Sequence, residues 1–293
     1  MGKYKSIAFE NEAIIDAGHY TAPNGARVDL SGLVAAAKQG TRSYPPDQTA
    51  GILSQEASCD GKASPATAFE VTGETSTQAG QRLVRDERAP HTAILTFASA
   101  RNPGGGYLGG ARAQEEDLCR SSALYTTLRE APDYYAAHRA DRDTHYSHRV
   151  IYSPDVPVYR DDRLRLLDVP YVVSFLTSPA PNAGALRRNQ SDDVGDLAGL
   201  ITERAARVLA VAAHHGVRTL VLGAWGCGVF RNDPADVASA FRTHLLDGGV
   251  FEGRFERVVF AALDTSASRQ TLGAFQNAFA RPVESGVART TDR

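Results

Sequence analysis

Gln114-Glu115-Glu116 puts two carboxylates side by side, and Gly104-Gly105-Gly106 stands seven residues before them. Helical periodicity through Leu118, Ser122, Tyr125 and Leu128 places the start of a helix near Gln114. Acids in a first helical turn have an ordinary explanation, since each complements the macrodipole by about 0.3 to 1 kcal/mol. A glycine loop leading straight into them is less ordinary. Glycine lets the main chain approach a phosphate closely, with no Cβ and with φ of either sign. Neighbouring helix residues project roughly 100° apart, so the two acids can do different jobs at one phosphate-bearing ligand.

Elements must bring that ligand to them. The run Thr92-Ala93-Ile94-Leu95-Thr96-Phe97 reads as a strand that feeds the triple glycine, and Thr219-Leu220-Val221-Leu222 reads as another that feeds Gly223-Ala224-Trp225-Gly226-Cys227-Gly228-Val229-Phe230. Ligands of open α/β sheets sit at the carboxyl ends of strands, where loop N–H groups point into the crevice. Two such loops facing each other could hold a diphosphate between them. Further strands are expected at 68–71, 150–152, 171–176 and 257–262, and helices at 75–88, 193–214, 234–246 and 266–280. The alternation predicts an α/β fold, and the unalternating strands near 94, 173 and 220 predict a sheet covered on both faces.

We expect a helical N-terminal extension over 1–60, a catalytic core over 61–281 and a frayed tail over 282–293, with 131–165, rich in Asp, Arg, His and Tyr, as an exposed insertion. The 293 residues are 42% hydrophobic and 23% charged, which excludes disordered and collagenous chains. Lys plus Arg total 32 against 34 acids, a formal charge of −2, so no global basic field holds DNA or an anionic membrane. Cys59, Cys119 and Cys227 are odd in number and far apart, which fits free thiols in a reducing, cytoplasmic compartment. No apolar run approaches the roughly 18 to 20 residues that span a bilayer.

Residues 104–109 satisfy G-x-G-x-x-G, the dinucleotide fingerprint, but not its context. Six residues including Pro103 separate the strand from the first glycine, and 130–149 is too polar for the second strand that fold requires.

Taken together, the triple glycine, its seven-residue spacer and Gln114-Glu115-Glu116 resemble the signature of poly(ADP-ribose) glycohydrolases, the bacterial-type branch with its macrodomain fold above all. The run from Thr96 to Gly106 and the loop 223–230 resemble that branch too, over roughly 66–281. The resemblance implies a mixed, largely parallel central sheet sandwiched by helices. It implies Glu116 as the catalytic acid, Glu115 as a ligand to the distal ribose and Gln114 as support for their geometry. Asn102 matches a ribose-binding position. Gly104, Gly105 and Gly106 would approach ribose and diphosphate, Gly226, Cys227, Gly228 and Val229 would wrap the diphosphate, and Phe230 would stack on adenine or cap the ribose. Glu74, at the end of the strand near 70, matches the adenine-binding acid of macrodomains, with Glu where that pattern has Asp.

The implied reaction hydrolyses the ribose–ribose O-glycosidic bond and releases ADP-ribose. Its leaving oxygen must be protonated as an oxocarbenium-like centre forms. A helix N-terminus favours an ionised acid by up to about 1 kcal/mol, less than one pKa unit. A second carboxylate, desolvation and the bound diphosphate oppose it, so substrate binding is expected to keep the acid at 116 protonated. No cofactor or metal is needed, and neither His145 and His148 nor His214 and His215 has a zinc-type partner spacing. The last pair reads as cations at a helix end before Gly216. Partners would be poly(ADP-ribose) and ADP-ribosylated proteins. Two other classes carry the same loops: a non-catalytic ADP-ribose reader, and an ADP-ribosyl-protein hydrolase acting on the amino-acid linkage. A bulky group near Phe230 or Arg269 would confine cleavage to chain ends.

Overall fold

Successive strand residues face opposite sides of a sheet, so a central strand that is apolar throughout needs cover on both. In the computed structural model, which describes residues 2–58, 66–188, 195–246 and 248–280, that cover is present. Ala93, Leu95, Leu220, Leu222, Val258 and Phe260 pack into one buried cluster, while their neighbours Ile94, Val221 and Val259 pack into a second on the other face. Cys59 and the tail 282–293 lie outside the described residues.

The chain begins α1 (Lys3–Ala17), β1 (His19–Thr21), β2 (Arg27–Asp29), α2 (Ser31–Gly40), β3 (Arg42–Tyr44) and α3 (Pro46–Ser58). It continues β4 (Ala68–Thr72), α4 (Ser76–Gln81), β5 (Thr92–Phe97), α5 (Gln114–Ser121), α6 (Leu124–Leu128), α7 (Pro132–Ala140), β6 (Val150–Arg160) and β7 (Leu166–Ser178). The last part is α8 (Ala183–Arg188), α9 (Leu197–His214), β8 (Thr219–Gly223), α10 (Pro234–Leu245), β9 (Arg257–Ala261) and α11 (Gln270–Phe279). Seven strands form one sheet in the order β3-β6-β7-β5-β8-β9-β4. The pairings from β7 to β4 are parallel and those of β6 with β3 and β7 are antiparallel. This is the largely parallel, helix-covered sheet that the family resemblance implies. Among the described residues no helix is long and apolar enough to cross a membrane.

Four expectations change. The described part of 1–60, residues 2–58, holds three helices, and also the β1–β2 hairpin and β3, which pairs with β6 at Arg42 to Tyr152 and Tyr44 to Val150. The helix from Gln114 stops at Ser121, because Ser122 turns extended and bridges to Val158 before α6 begins. The segment 131–165 is no exposed insertion: Tyr134, Tyr135 and Tyr159 are fully buried and β6 runs through the core. Its polar residues misled because some of them are buried with partners inside the fold: Arg160 donates to the Asn11 side chain and the Leu164 carbonyl and pairs with Glu10. His215, finally, is not a helix-end cation. It stacks on Tyr152 with centroids 3.7 Å apart and meets the Tyr44 hydroxyl at 2.8 Å, and burial pulls its pKa down to about 4.

Candidate active site

Three consecutive side chains at the start of α5 each accept a backbone N–H from the chain that precedes them. Phe97 donates to Gln114 at 2.9 Å, Ser99 to Glu115 at 2.6 Å and Gly106 to Glu116 at 2.8 Å. Because these side chains splay around the helix, the loop 97–106 has to wrap its first turn, and the acids have fixed positions relative to the end of β5. Gln114 adds the support expected of it. Its amide donates to the Leu95 carbonyl at 2.7 Å and the Ser76 hydroxyl at 3.0 Å, clipping α5 to β5 and to α4.

Gly105 is what lets the loop pass. Its φ is +59°, and a Cβ there would lie 2.5 Å from Glu116 Oε1 and 3.2 Å from Glu115 Oε2. At Gly104, with φ +64°, a Cβ would lie 2.9 Å from the Tyr125 ring and 3.2 Å from Cys119 Sγ.

Both acids are buried, Glu115 at 3% and Glu116 at 8% exposure. One oxygen of Glu115, Oε1, has no hydrogen-bond partner among the described residues. Burial holds the Glu115 carboxyl well above the usual carboxylate range against the pull of the Ser99 N–H, and the neighbouring Glu116 pushes the same way. Its proton therefore stabilises the fold fully below about pH 4, and that contribution is lost as pH rises through the raised value. Glu115→Gln keeps an acceptor for Ser99 and removes the titration. Its melting temperature relative to the native chain is expected to climb between about pH 4 and pH 8 in thermal scans. A difference that stays flat over that range would contradict the buried titration.

These acids line a cavity of about 940 Å³ together with Asn102, Gly105 and Gln114, and with Gly226, Cys227, Gly228, Val229 and Phe230 from the loop after β8. The turn of that second loop is held inward. Trp225 is fully buried with its indole N–H on the Ser178 carbonyl at 3.0 Å, and the Phe230 carbonyl accepts from Gly184 at 2.8 Å. Among the described residues the N–H groups of Gly228, Val229 and Phe230 have no partner, so three successive donors are available to an anion. Cys227 differs from expectation. Its N–H is committed to the Ala224 carbonyl at 3.1 Å, and burial pushes its thiol up to about 12, so it offers the cavity a neutral wall.

Glu74 is not brought to the cavity: Arg82 holds its carboxylate through contacts of 2.8 and 3.1 Å. Thr75, Ser76 and Thr77 line the cavity instead. Sequence reasoning also missed Tyr146, which lies apart from both loops in the chain yet meets Phe230 with ring centroids 6.0 Å apart. Tyr146 has φ +59°, and its carbonyl accepts from the buried Arg204 at 3.0 Å, while a second guanidinium nitrogen reaches the Pro179 carbonyl at 2.9 Å. No periodicity announces that contact. Arg269 adopts the left-handed conformation at the start of α11, two residues before Thr271, which lines the cavity.

The family model described as microbial-type PARG, catalytic domain, matches residues 8–161. Among solved structures, poly(ADP-ribose) glycohydrolase from Thermomonospora curvata is 49% identical, over 94% of this chain and 99% of that one, with a TM-score of 0.89. The same enzyme bound to the inhibitor ADP-HPD superposes with a TM-score of 0.87 at 49% identity, over 94% of this chain and 99% of that one. Poly(ADP-ribose) glycohydrolase from Deinococcus radiodurans in complex with ADP-ribose is 47% identical over 86% of this chain and 98% of that one, with a TM-score of 0.78. None of the curated proteins compared matches. A glycine loop folded onto two buried acids, in one cavity with a loop of free N–H donors, thus occurs here in a chain that belongs to the microbial-type poly(ADP-ribose) glycohydrolase family.

Proposed function

We propose that this chain hydrolyses the ribose–ribose O-glycosidic bonds of poly(ADP-ribose) and releases ADP-ribose, with Glu116 as the acid and Glu115 as the ribose ligand. One observation carries the reading: two buried carboxylates, folded against Gly105, line the same cavity as the three unpartnered N–H groups of 228–230. The N–H groups take the diphosphate. The unpartnered Oε1 of Glu115 takes a distal ribose hydroxyl, which relieves a buried polar atom at the same time. Phe230 and Tyr146 supply aromatic faces for the adenosine end.

The chemistry needs one proton moved out and one moved back. Glu116 passes its proton to the leaving ribose oxygen as the C–O bond breaks. The positive centre left on the distal ribose is stabilised by the nearby diphosphate and by the carboxylate that Glu116 becomes. Glu116, now a carboxylate, removes a proton from water as its oxygen bonds to the anomeric carbon, and the acid is restored. Substrates would be polymer carried on ADP-ribosylated proteins, met in the cytoplasm. The formal charge of −2 supports local recognition of this polyanion over general attraction to DNA.

Product analysis tests the reading. Incubated with poly(ADP-ribose), the chain is expected to release free ADP-ribose, resolved by chromatography. Binding of polymer with no release would make it a reader. Removal of only the protein-linked unit would assign it to the amino-acid linkage.

A further inference from the structure

A cut inside or at the end of a polymer leaves two pieces, and the cavity described above accounts for one of them. The acids sit at the start of α5, and just before them the cavity is lined by Arg112, an exposed residue. Arg101 is the other arginine lining it, and its guanidinium is committed to the carbonyls of His138, Asp141 and Arg142. Arg112 is different. Among the described residues its guanidinium has neither a hydrogen bond nor an ion pair, and it rests on the Tyr4 ring at 4.9 Å. Tyr4 belongs to α1 and carries the buried Arg120 at 4.9 Å as well.

The same surface holds a second cation, Lys5, that has no ion pair or side-chain hydrogen bond among the described residues. The loop before Arg112 packs on α1 so closely that a Cβ on Gly110 would lie 3.0 Å from the Lys5 backbone nitrogen. Lys5 is exposed, and its ammonium sits 5.9 Å from the Phe9 ring centroid. Two acids nearby in the chain pair with other arginines: Glu10 with Arg160 at 3.1 Å and Asp117 with Arg120 at 2.7 Å. An arginine or lysine stacked on an aromatic ring is oriented but keeps its N–H donors, whereas one bound to a carboxylate has already used them.

We propose that Lys5 and Arg112, seated on the aromatic rings of α1, bind the phosphates of the polymer segment on the leaving side of the scissile bond. The inference rests on the polymer-cleaving reading above. Arg112 in the cavity lining and Lys5 on the adjoining face of α1 hold the next repeat as its ribose oxygen departs, and they add to the grip on polymer. They also give α1 a part in recognition.

Binding measured in a Glu116→Gln background, which prevents turnover, separates the two ligands. Lys5→Ala with Arg112→Ala is expected to weaken a labelled ADP-ribose oligomer of defined length by about tenfold and to lower its logarithmic salt dependence by about 1 to 2. Affinity for ADP-ribose itself falls by less, because only Arg112 of the pair lines the cavity that holds that unit. Arg112→Lys, which keeps the charge, restores most of the loss in the single Arg112→Ala variant. Equal loss for oligomer and ADP-ribose would overturn the proposal, as would an oligomer affinity that does not move. Oligomer bound in this way but left intact by the native chain counts against the hydrolase reading alone.

Discussion

Glu116→Gln lowers kcat on poly(ADP-ribose) by about a thousandfold, within the roughly 10²–10⁴ that a positioned acid contributes, while ADP-ribose affinity changes by less than about threefold. The separation follows from what Glu116 touches. One carboxylate oxygen accepts from the Gly106 N–H at 2.8 Å, and an amide oxygen can take the same bond. The loop that approaches the ligand is therefore retained, and so are Glu115 and the 228–230 donors. Only the transferable proton is lost, and an amide cannot replace it. Single-turnover kinetics on polymer, beside calorimetry with ADP-ribose, read the two effects apart. Equal falls in rate and affinity would show that Glu116 binds more than it reacts.

Gly105→Ala also lowers the rate, by less and for a different reason, and it reaches stability too. At φ +59° a side chain costs about 1 to 2 kcal/mol before any contact is counted. The added methyl then lies 2.5 Å from Glu116 Oε1, too close for any real contact. Either the loop backs away from α5 or the carboxylate rotates off the Gly106 N–H. A misplacement near 1 Å lowers catalysis by about a hundredfold, so kcat is expected to fall by that order and the melting temperature by several degrees. Gly51→Ala is the control. Gly51 lies inside α3, where an added methyl would meet nothing within 4 Å, so alanine there adds helix propensity, about 0.5 to 1 kcal/mol of stability. A Gly105→Ala chain as stable and active as Gly51→Ala would show that the loop does not need its glycine.

The acids and their glycine loop were legible because the physics there is local. Residues 104 to 116 form one continuous stretch, and the hydrogen bonds from Ser99 and Gly106 to Glu115 and Glu116 join positions close in the chain. The strands were legible for a related reason: β5 and β8 are buried on both faces, so their apolar character is uninterrupted. Polar composition was a poor guide in 131–165, since a buried arginine such as Arg160 looks like a surface residue until its partners are known. Glu74 carried the same difficulty in reverse. An acid at a strand end reads as a ligand, and only the position of Arg82 shows that its carboxylate is occupied.

The amino-acid order by itself determined the α/β sheet covered on both faces, the two glycine loops at strand ends and the paired acids that open α5. Those features depend on the period of apolar residues and on contacts between near neighbours. Tertiary structure alone decided that Tyr146 stands beside Phe230, that Arg204 fixes it from beneath, and that α1 lays Tyr4 under Arg112. Each of these joins residues dozens of positions apart, and such pairs are chosen by packing and by the satisfaction of buried polar groups, which leave no period in the chain.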